Sequence, residues 1–409
     1  MKKYKLGDIA DFDKKTLSKK DSMDVIEYLD TGSLTENIFG PMQVLSRQDA
    51  PSRAQRRVFD KTILYSTVRP RLKHYGFMEK PKENVIVSTG FVTIDVKDKF
   101  KNVIDPYYLY LLLIQDEITE YLGTIADTAV SSYPSLNPSD IQMLEFEFPD
   151  LSIQKKIASV PYNIDKRIEN LRAQNRVLEQ TAKTIYDYTF LQCAGHQTTY
   201  NKTLNRNIPA GWEVKSVGDF AELITKGTTP TTLGFNFEEN GVNFVKVECI
   251  ENGRLITENL AHISKEAHEK LKRSNLHEND ILVTIAGRLA SSCVVPKSVL
   301  PANTNQAVGI IRLTKENQKY VQYVFYCIFD PAMQNKLKGI NAQSIQKNLT
   351  LPNLGNIPIA VPDDKTLEEF NSQVIPIFRK QLVNSQQIES LTTQRNTLLP
   401  LLMTGKIEV

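Results

Sequence analysis

The chain holds 409 residues, 41% of them hydrophobic, enough for two ordinary domains with buried cores and connecting elements. No run of 18 apolar residues occurs, and the N-terminal M-K-K-Y-K-L-G-D lacks an apolar core, which argues against a membrane span or a secretory signal. The formal net charge of +3 names no partner, and the four scattered cysteines, Cys193, Cys249, Cys293 and Cys327, read as reduced thiols of a cytoplasmic protein.

The first element, L-G-D-I-A-D at 6–11, returns as V-G-D-F-A-E at 217–222. An offset near 213, with small slips in loops, aligns the two halves. D-K-T-I-L-Y-S-T (60–67) meets E-N-D-I-L-V-T-I (278–285), Tyr107 and Tyr110 meet Tyr320 and Tyr323, and F-P-D (148–150) meets V-P-D (361–363). A period this long marks a duplicated domain, not a solenoid. The expected division is 1–150, a first domain of mixed strands and short helices; 151–192, a first long helix; 193–212, a linker; 213–362, a second such domain; and 363–409, a second long helix.

Along the first copy, residues 47–73 carry eight Lys/Arg against two Asp, interleaved with Ser, Gln and Tyr. That mixture suits a phosphate-facing surface with base-reading side chains among the cations, although charge runs are also commonly solvated faces. V-I-V-S-T-G-F-V-T-I-D-V (85–96) has strand character, as does D-I-L-V-T-I (280–285) in the second copy. Y-Y-L-Y-L-L-L-I (107–114), followed by E-I-T-E-Y-L, reads as helix, with Asp105 capping it ahead of Pro106. D-P-Y-Y (105–108) lacks the second proline of an amino-methyltransferase motif and no Gly-rich loop precedes it. Pro149-Asp150 with Lys155 lacks the middle acidic residue of a nuclease site. No P-loop occurs, and His262, His268 and His277 lack zinc-ligand spacing, so His262 and His268 are expected on a solvated surface.

The first long helix shows a 4,3,4,3 apolar seam through Ile164, Ile168, Leu171, Asn175, Leu178, Ala182, Ile185 and Thr189. The second repeats it through Ile377, Gln381, Asn384, Ile388, Leu391, Arg395, Leu398 and Leu402. An ordinary buried face would look alike, but two matching seams favour a helix pair. Asn175, Gln381, Asn384 and Arg395 can fix its register. Pro161 and Pro376 are expected to kink or restart the helices, and Thr366 with Glu369 resembles a capping box. The linker, polar and aperiodic, precedes a second domain without a dense basic patch. In its place stand T-K-G-T-T-P-T-T (225–232), N-T-N-Q (303–306) and N-A-Q-S-I-Q-K-N (341–348), loops rich in hydroxyls and amides suited to a base edge, although each taken singly is more commonly a plain polar turn.

Four local matches then carry a family resemblance over essentially the whole chain. F-P-D-L-S-I-Q-K-K-I-A (148–158) is similar to a proline-then-Q-x-x-I-A opening of a helix, and L-E-Q-T-A-K-T-I-Y-D-Y-T-F (178–190) to an L-E-x-x-A signature. I-P-A-G-W-E (208–213) resembles a P-x-G-W-E domain start, and L-L-P-L-L-M-T-G-K-I (398–407) a characteristic ending. In this order they resemble the specificity subunit of type I restriction-modification systems. Leu367 stands where the first copy has Gln154, which questions equal partner contacts at the two helix bases.

The resemblance implies an α+β fold: two homologous mixed α/β target-recognition domains separated by two long antiparallel coiled-coil helices, related by a pseudo-two-fold axis. It implies a non-catalytic chain in which each domain reads half of a bipartite double-stranded DNA target. Two methyltransferase (M) subunits, which bind S-adenosylmethionine and methylate adenine N6, would sit on the helical regions. Restriction (R) subunits would bring ATP and Mg2+ chemistry; the chain itself would hold no cofactor or metal. At about 1.5 Å per residue, 162–190 would span about 43 Å, against about 34–36 Å for one DNA turn. Expected DNA contacts are Arg53, Arg56, Arg57, Arg69, Arg71 and Lys73 in the first half. Lys226, Thr228, Thr229, Arg288, Asn305, Gln306, Gln343 and Ser344 are expected in the second. Expected helix-pairing residues are Ile164, Ile168, Leu171, Leu178, Ile185, Ile388, Leu391, Leu398 and Leu402. The competing readings are a stand-alone or fused DNA-modification enzyme and a coiled-coil scaffold that binds protein.

Overall fold

The computed structural model describes residues 2–18, 21, 23–128, 134–340 and 348–407. It divides into two compact units, Met1–Leu171 with Ser390–Val409, and Arg172–Glu389. The expected sites Gln343 and Ser344 lie outside the described residues.

In the first unit one sheet orders the strands Ala10–Phe12, Phe91–Val96, Thr62–Ser66 and Tyr75–Met78, all antiparallel. The matching sheet of the second unit orders Ala221–Lys226, Val308–Leu313, Ile281–Thr284 and Ser292–Val294, again all antiparallel. A second sheet repeats a three-strand motif. Gln43–Ser46, Val25–Leu29 and Val85–Ser88 correspond to Ala261–Ile263, Val242–Val245 and Ala302–Thr304, each with one antiparallel and one parallel pairing. The fourth strand breaks the symmetry. Ala54–Arg57 joins beside Val85–Ser88 in one copy, and Phe237–Glu238 joins the opposite edge in the other. The chain is thus a tandem repeat of mixed helix and sheet.

The β-branched run at 85–96, readable as one strand, is two, Val85–Ser88 and Phe91–Val96, in different sheets. Every residue of both is buried, Thr93 and Asp95 included. Asp105 caps the helix Pro106–Leu113 by accepting from the Tyr108 amide at 2.9 Å. His268, expected in solvent, is half-buried with Nδ1 against the Asn303 side-chain oxygen.

The long helices are Leu151–Tyr186 and Asp364–Met403. Each is continuous, so neither Pro161 nor Pro376 restarts it. The second helix starts on Asp363, not on a Thr366–Glu369 box: Asp363 accepts from the Thr366 amide at 2.8 Å and its hydroxyl at 2.9 Å. Trp212 Nε1 donates to the same carboxylate at 3.2 Å. The stretch expected as an aperiodic linker contains a hairpin, Thr198–Asn201 with Arg206–Pro209. Its turn uses the left-handed backbone of Asn205, whose side chain accepts from the Tyr200 hydroxyl at 2.6 Å.

Candidate nucleic-acid interface

The same backbone corner is built in both domains. In the first, the Thr67 amide donates to the Gly90 carbonyl at 2.9 Å, and the Thr67 carbonyl accepts from Leu136 at 2.8 Å. In the second, the Ile285 amide donates to Ala307 at 2.8 Å, and the Ile285 carbonyl accepts from Leu349 at 2.8 Å. The corner joins the loop after a central strand of one sheet to the turn that leaves the other sheet. It therefore gathers loops distant in sequence.

In the second domain it gathers two of the loops singled out by composition. Thr228 N donates to the Thr304 carbonyl at 3.0 Å, and Gly227 N to Val308 at 3.2 Å. A Cβ on Gly227 would overlap the Thr304 carbonyl, so the two loops meet only because that side chain is absent. Thr229 Oγ1 then donates to Gln306 Oε1, and Asn305 Oδ1 accepts from the Ala307 amide at 3.1 Å. Lys226 and Gln306 are exposed, with Thr228, Thr229 and Asn305 half-buried beside them. Arg288 is exposed and faces Glu251 at 3.6 Å. Asn303 does not belong to this surface: it is fully buried, and its Nδ2 donates to the Leu271 carbonyl and Ser274 Oγ, both at 3.2 Å. Composition missed Arg273, whose Nη2 donates to Thr228 Oγ1 at 3.1 Å, and the exposed Lys270 and Lys272 beside it. The run K-L-K-R at 270–273 was the available signal.

In the first domain the corner ties Arg53 to Arg69 through the 88–90 turn, where Thr89 N donates to the Arg53 carbonyl at 2.9 Å. Both arginines are exposed. The other four expected cations are ion-paired. Arg56 meets Asp13, and burial pushes its guanidinium down from the usual range. Arg57 meets Asp21 at 3.3 Å, and the Ser18 backbone N–H holds that carboxyl low. Arg71 reaches Glu120 at 2.8 Å and Asp127 at 2.6 Å, which raise its pKa. Lys73 reaches Asp116 at 2.8 Å and Glu36 at 3.6 Å, and Asp116 likewise raises it. The apparent excess of positive charge at 47–73 is therefore largely compensated by carboxylates that the fold brings from elsewhere.

Within each unit the two long helices pack on one another. In the second unit, Phe190 meets Phe370 with ring centroids 4.9 Å apart, and Asn384 Nδ2 donates to Asn175 Oδ1 at 2.9 Å, so the helices run antiparallel there. Gln381 Nε2 adds a bond to the Asn175 carbonyl at 3.2 Å. Of the expected pairing residues, Ile168, Leu171, Ile388 and Leu402 are buried, while Ile164, Leu178, Ile185, Leu391 and Leu398 are half-buried. Gln154 is fully buried at the base of the first helix. It accepts from Asp105 N at 2.9 Å and donates to the Val103 and Pro149 carbonyls at 2.8 and 2.7 Å. Leu367, its counterpart, is 1% exposed in the second unit's core. Both residues are thus engaged in internal packing, one polar and one apolar.

Two copies of one domain, built around the same backbone corner with exposed arginines beside it in the first and amide, hydroxyl and cationic side chains in the second, define a tandem recognition protein. The sequence model of the family described as "Type I restriction modification DNA specificity domain" matches residues 1–180 and 209–398, and the chain belongs to that family. It is 24% identical over 468 residues to the HindI type I restriction enzyme specificity subunit of Haemophilus influenzae, covering 99% of each. It is 28% identical over 359 residues to the MjaIX specificity subunit of Methanocaldococcus jannaschii, covering 86% of this chain and 79% of that one. The crystal structure of a type I restriction-modification S subunit from M. genitalium shares the fold at TM-score 0.58 and 16% identity, over 98% of this chain and 95% of that chain. Among the described residues no helix is long and apolar enough to cross a membrane.

Proposed function

We propose that this chain is the sequence-reading, non-catalytic subunit of a cytoplasmic type I restriction-modification complex, each domain reading one half of a bipartite double-stranded target. The observation that carries the reading is the repeated corner: its backbone hydrogen bonds are the same in both domains, and its side chains are not. A shared frame with different loops predicts two different half-sites. Arg53 and Arg69 in one domain, and Lys226, Thr228, Thr229, Arg273, Asn305 and Gln306 in the other, are the side chains placed to contact DNA. Phosphate contacts would supply affinity and the amide and hydroxyl groups discrimination.

The helices, of 36 and 40 residues, are about 54 and 60 Å long at the standard rise. Those lengths suit antiparallel coiled-coil rods that hold the two readers about a DNA turn or more apart, with two methyltransferase subunits docked along them. S-adenosylmethionine would belong to those subunits, and ATP with Mg2+ to restriction subunits. The test is methylation-sensitive sequencing of DNA from cells expressing this chain with its methyltransferase, before and after residues 213–362 are exchanged for those of another family member. One half of the methylated motif should change. A change in both halves, or methyl transfer by the purified chain alone, overturns the reading.

A further inference from the structure

One half-buried ion pair has no counterpart at the matching positions in the other half of the duplication. In the first unit Arg395 Nη1 donates to Asp165 Oδ1 at 3.0 Å, with the two side chains 16% and 13% exposed. The other carboxylate oxygen accepts from the Tyr107 hydroxyl at 2.8 Å and from Asn37 Nδ2 at 3.3 Å. Asn37 is itself held by the Phe77 amide at 2.8 Å. The guanidinium's remaining groups go to Asn396 Oδ1 at 3.2 and 3.0 Å. The offset of about 213 residues carries Asp165 to Phe378 and Arg395 to Ala182. There the node is hydrocarbon: Phe378 packs on Phe325 and Tyr326 at 5.7 and 6.0 Å, and Ala182 is 1% exposed.

A duplicated chain faces a choice that a single domain does not. Each long helix resembles the other, so the first helix of one copy could pair antiparallel with the first helix of a second copy, and the second with the second. Held in the same register, such pairing sets Asp165 opposite the second copy's Ala182, and Arg395 opposite its Phe378. Both charges would then be left half-buried without a counter-ion, and an uncompensated charge away from water is unfavourable. Pairing of unlike helices satisfies both. We infer that the Asp165–Arg395 pair determines helix partnership, making each chain close its own two unlike helices and excluding like-with-like association between copies.

The test uses the full-length chain refolded from denaturant at high concentration, where a second copy competes with the chain's own helix. Gln174, which flanks the seam and contacts Asn384 at 3.5 Å, is replaced by cysteine as a reporter, because like-with-like pairing brings it beside its own counterpart. The four native cysteines are buried once the chain is folded, so the protein is kept reduced throughout refolding and oxidant is added only afterwards. The otherwise unaltered chain should refold to monomer without a disulfide-linked dimer. Asp165→Leu with Arg395→Leu should raise the cross-linked dimer fraction at least tenfold, read by sedimentation and non-reducing gels. Asp165→Asn with Arg395→Gln, which keeps polar side chains at both positions and an acceptor for the Tyr107 hydroxyl, serves if the leucine pair does not fold. The charge exchange Asp165→Arg with Arg395→Asp should return the chain to monomer. Neutral variants that stay monomeric and uncross-linked, or a charge exchange that dimerises like them, overturn the inference.

Discussion

Thr62 and Asp95 in the first domain stand where Asp280 and Arg312 stand in the second. The turn around them is shared: Phe59 N donates to Thr62 Oγ1 at 2.9 Å, and His277 N to Asp280 Oδ2 at 2.7 Å. The cross-strand partner is not. Thr62 donates to Asp95 Oδ1 at 2.5 Å, whereas Arg312 grips Asp280 with two bonds of 2.8 and 2.7 Å. Asp95 Oδ2 is buried with no hydrogen-bond partner among the described residues, and burial raises the Asp95 pKa. A raised carboxyl favours the folded state while it is protonated. That contribution is full below the unfolded pKa of about 3.9 and is lost as pH climbs through the folded value. Asp95→Asn should therefore stabilise at pH 7 by ~1 kcal/mol and by less at pH 4, compared through urea midpoints. Asp280→Ala leaves Arg312 16% exposed and uncompensated, and should cost about 3–5 kcal/mol by the same assay. The strands were legible from their β-branched runs. The pairing was not, because Thr62 and Asp95 lie 33 residues apart and only sheet order makes them neighbours.

At the level of elements, what the sequence revealed followed the range of the signal. The helical seams have a short period and both long helices were legible, as was the Asp105 cap, a contact three residues long. The two prolines do not restart their helices, because the local penalty is outweighed by packing along a 36- or 40-residue helix. The run at 85–96 was legible as strand, and Thr89-Gly90 marks the turn between its two pieces, Val85–Ser88 and Phe91–Val96. The corner was legible only as separate polar loops. Gly227 is what joins them, and it looked like an ordinary turn glycine. Gly227→Ala should force Thr228 off the Thr304 carbonyl and separate Thr229 from Gln306. Binding to targets altered only in the second domain's half-site should then lose its discrimination by about tenfold, about 1.4 kcal/mol, while discrimination in the other half is kept. Competition binding with the reconstituted methyltransferase complex, using oligonucleotides changed in one half at a time, reads both numbers.

Across the whole molecule the two domains differ in how much positive charge they have left to spend on DNA. Four of the six cations expected in the first domain are engaged by carboxylates, Arg56, Arg57, Arg71 and Lys73. Net charge per segment could not show this, since Glu120 and Asp127 lie on a helix some 50 residues beyond Arg71. In the second domain Lys226 is exposed with no ion pair among the described residues, and Arg273 reaches only a hydroxyl. Counterion release makes the logarithm of affinity fall with that of salt by about 0.9 per neutralised phosphate. Lys226→Ala with Arg273→Ala should therefore flatten the salt dependence of the reconstituted complex by about two units of slope. Arg71→Ala with Lys73→Ala should leave the slope nearly unchanged, because those cations already hold acidic partners. A flattening of equal size in both double variants would mean that DNA displaces Glu120, Asp127 and Asp116, and that the first domain's carboxylates compete with phosphate for the same cations.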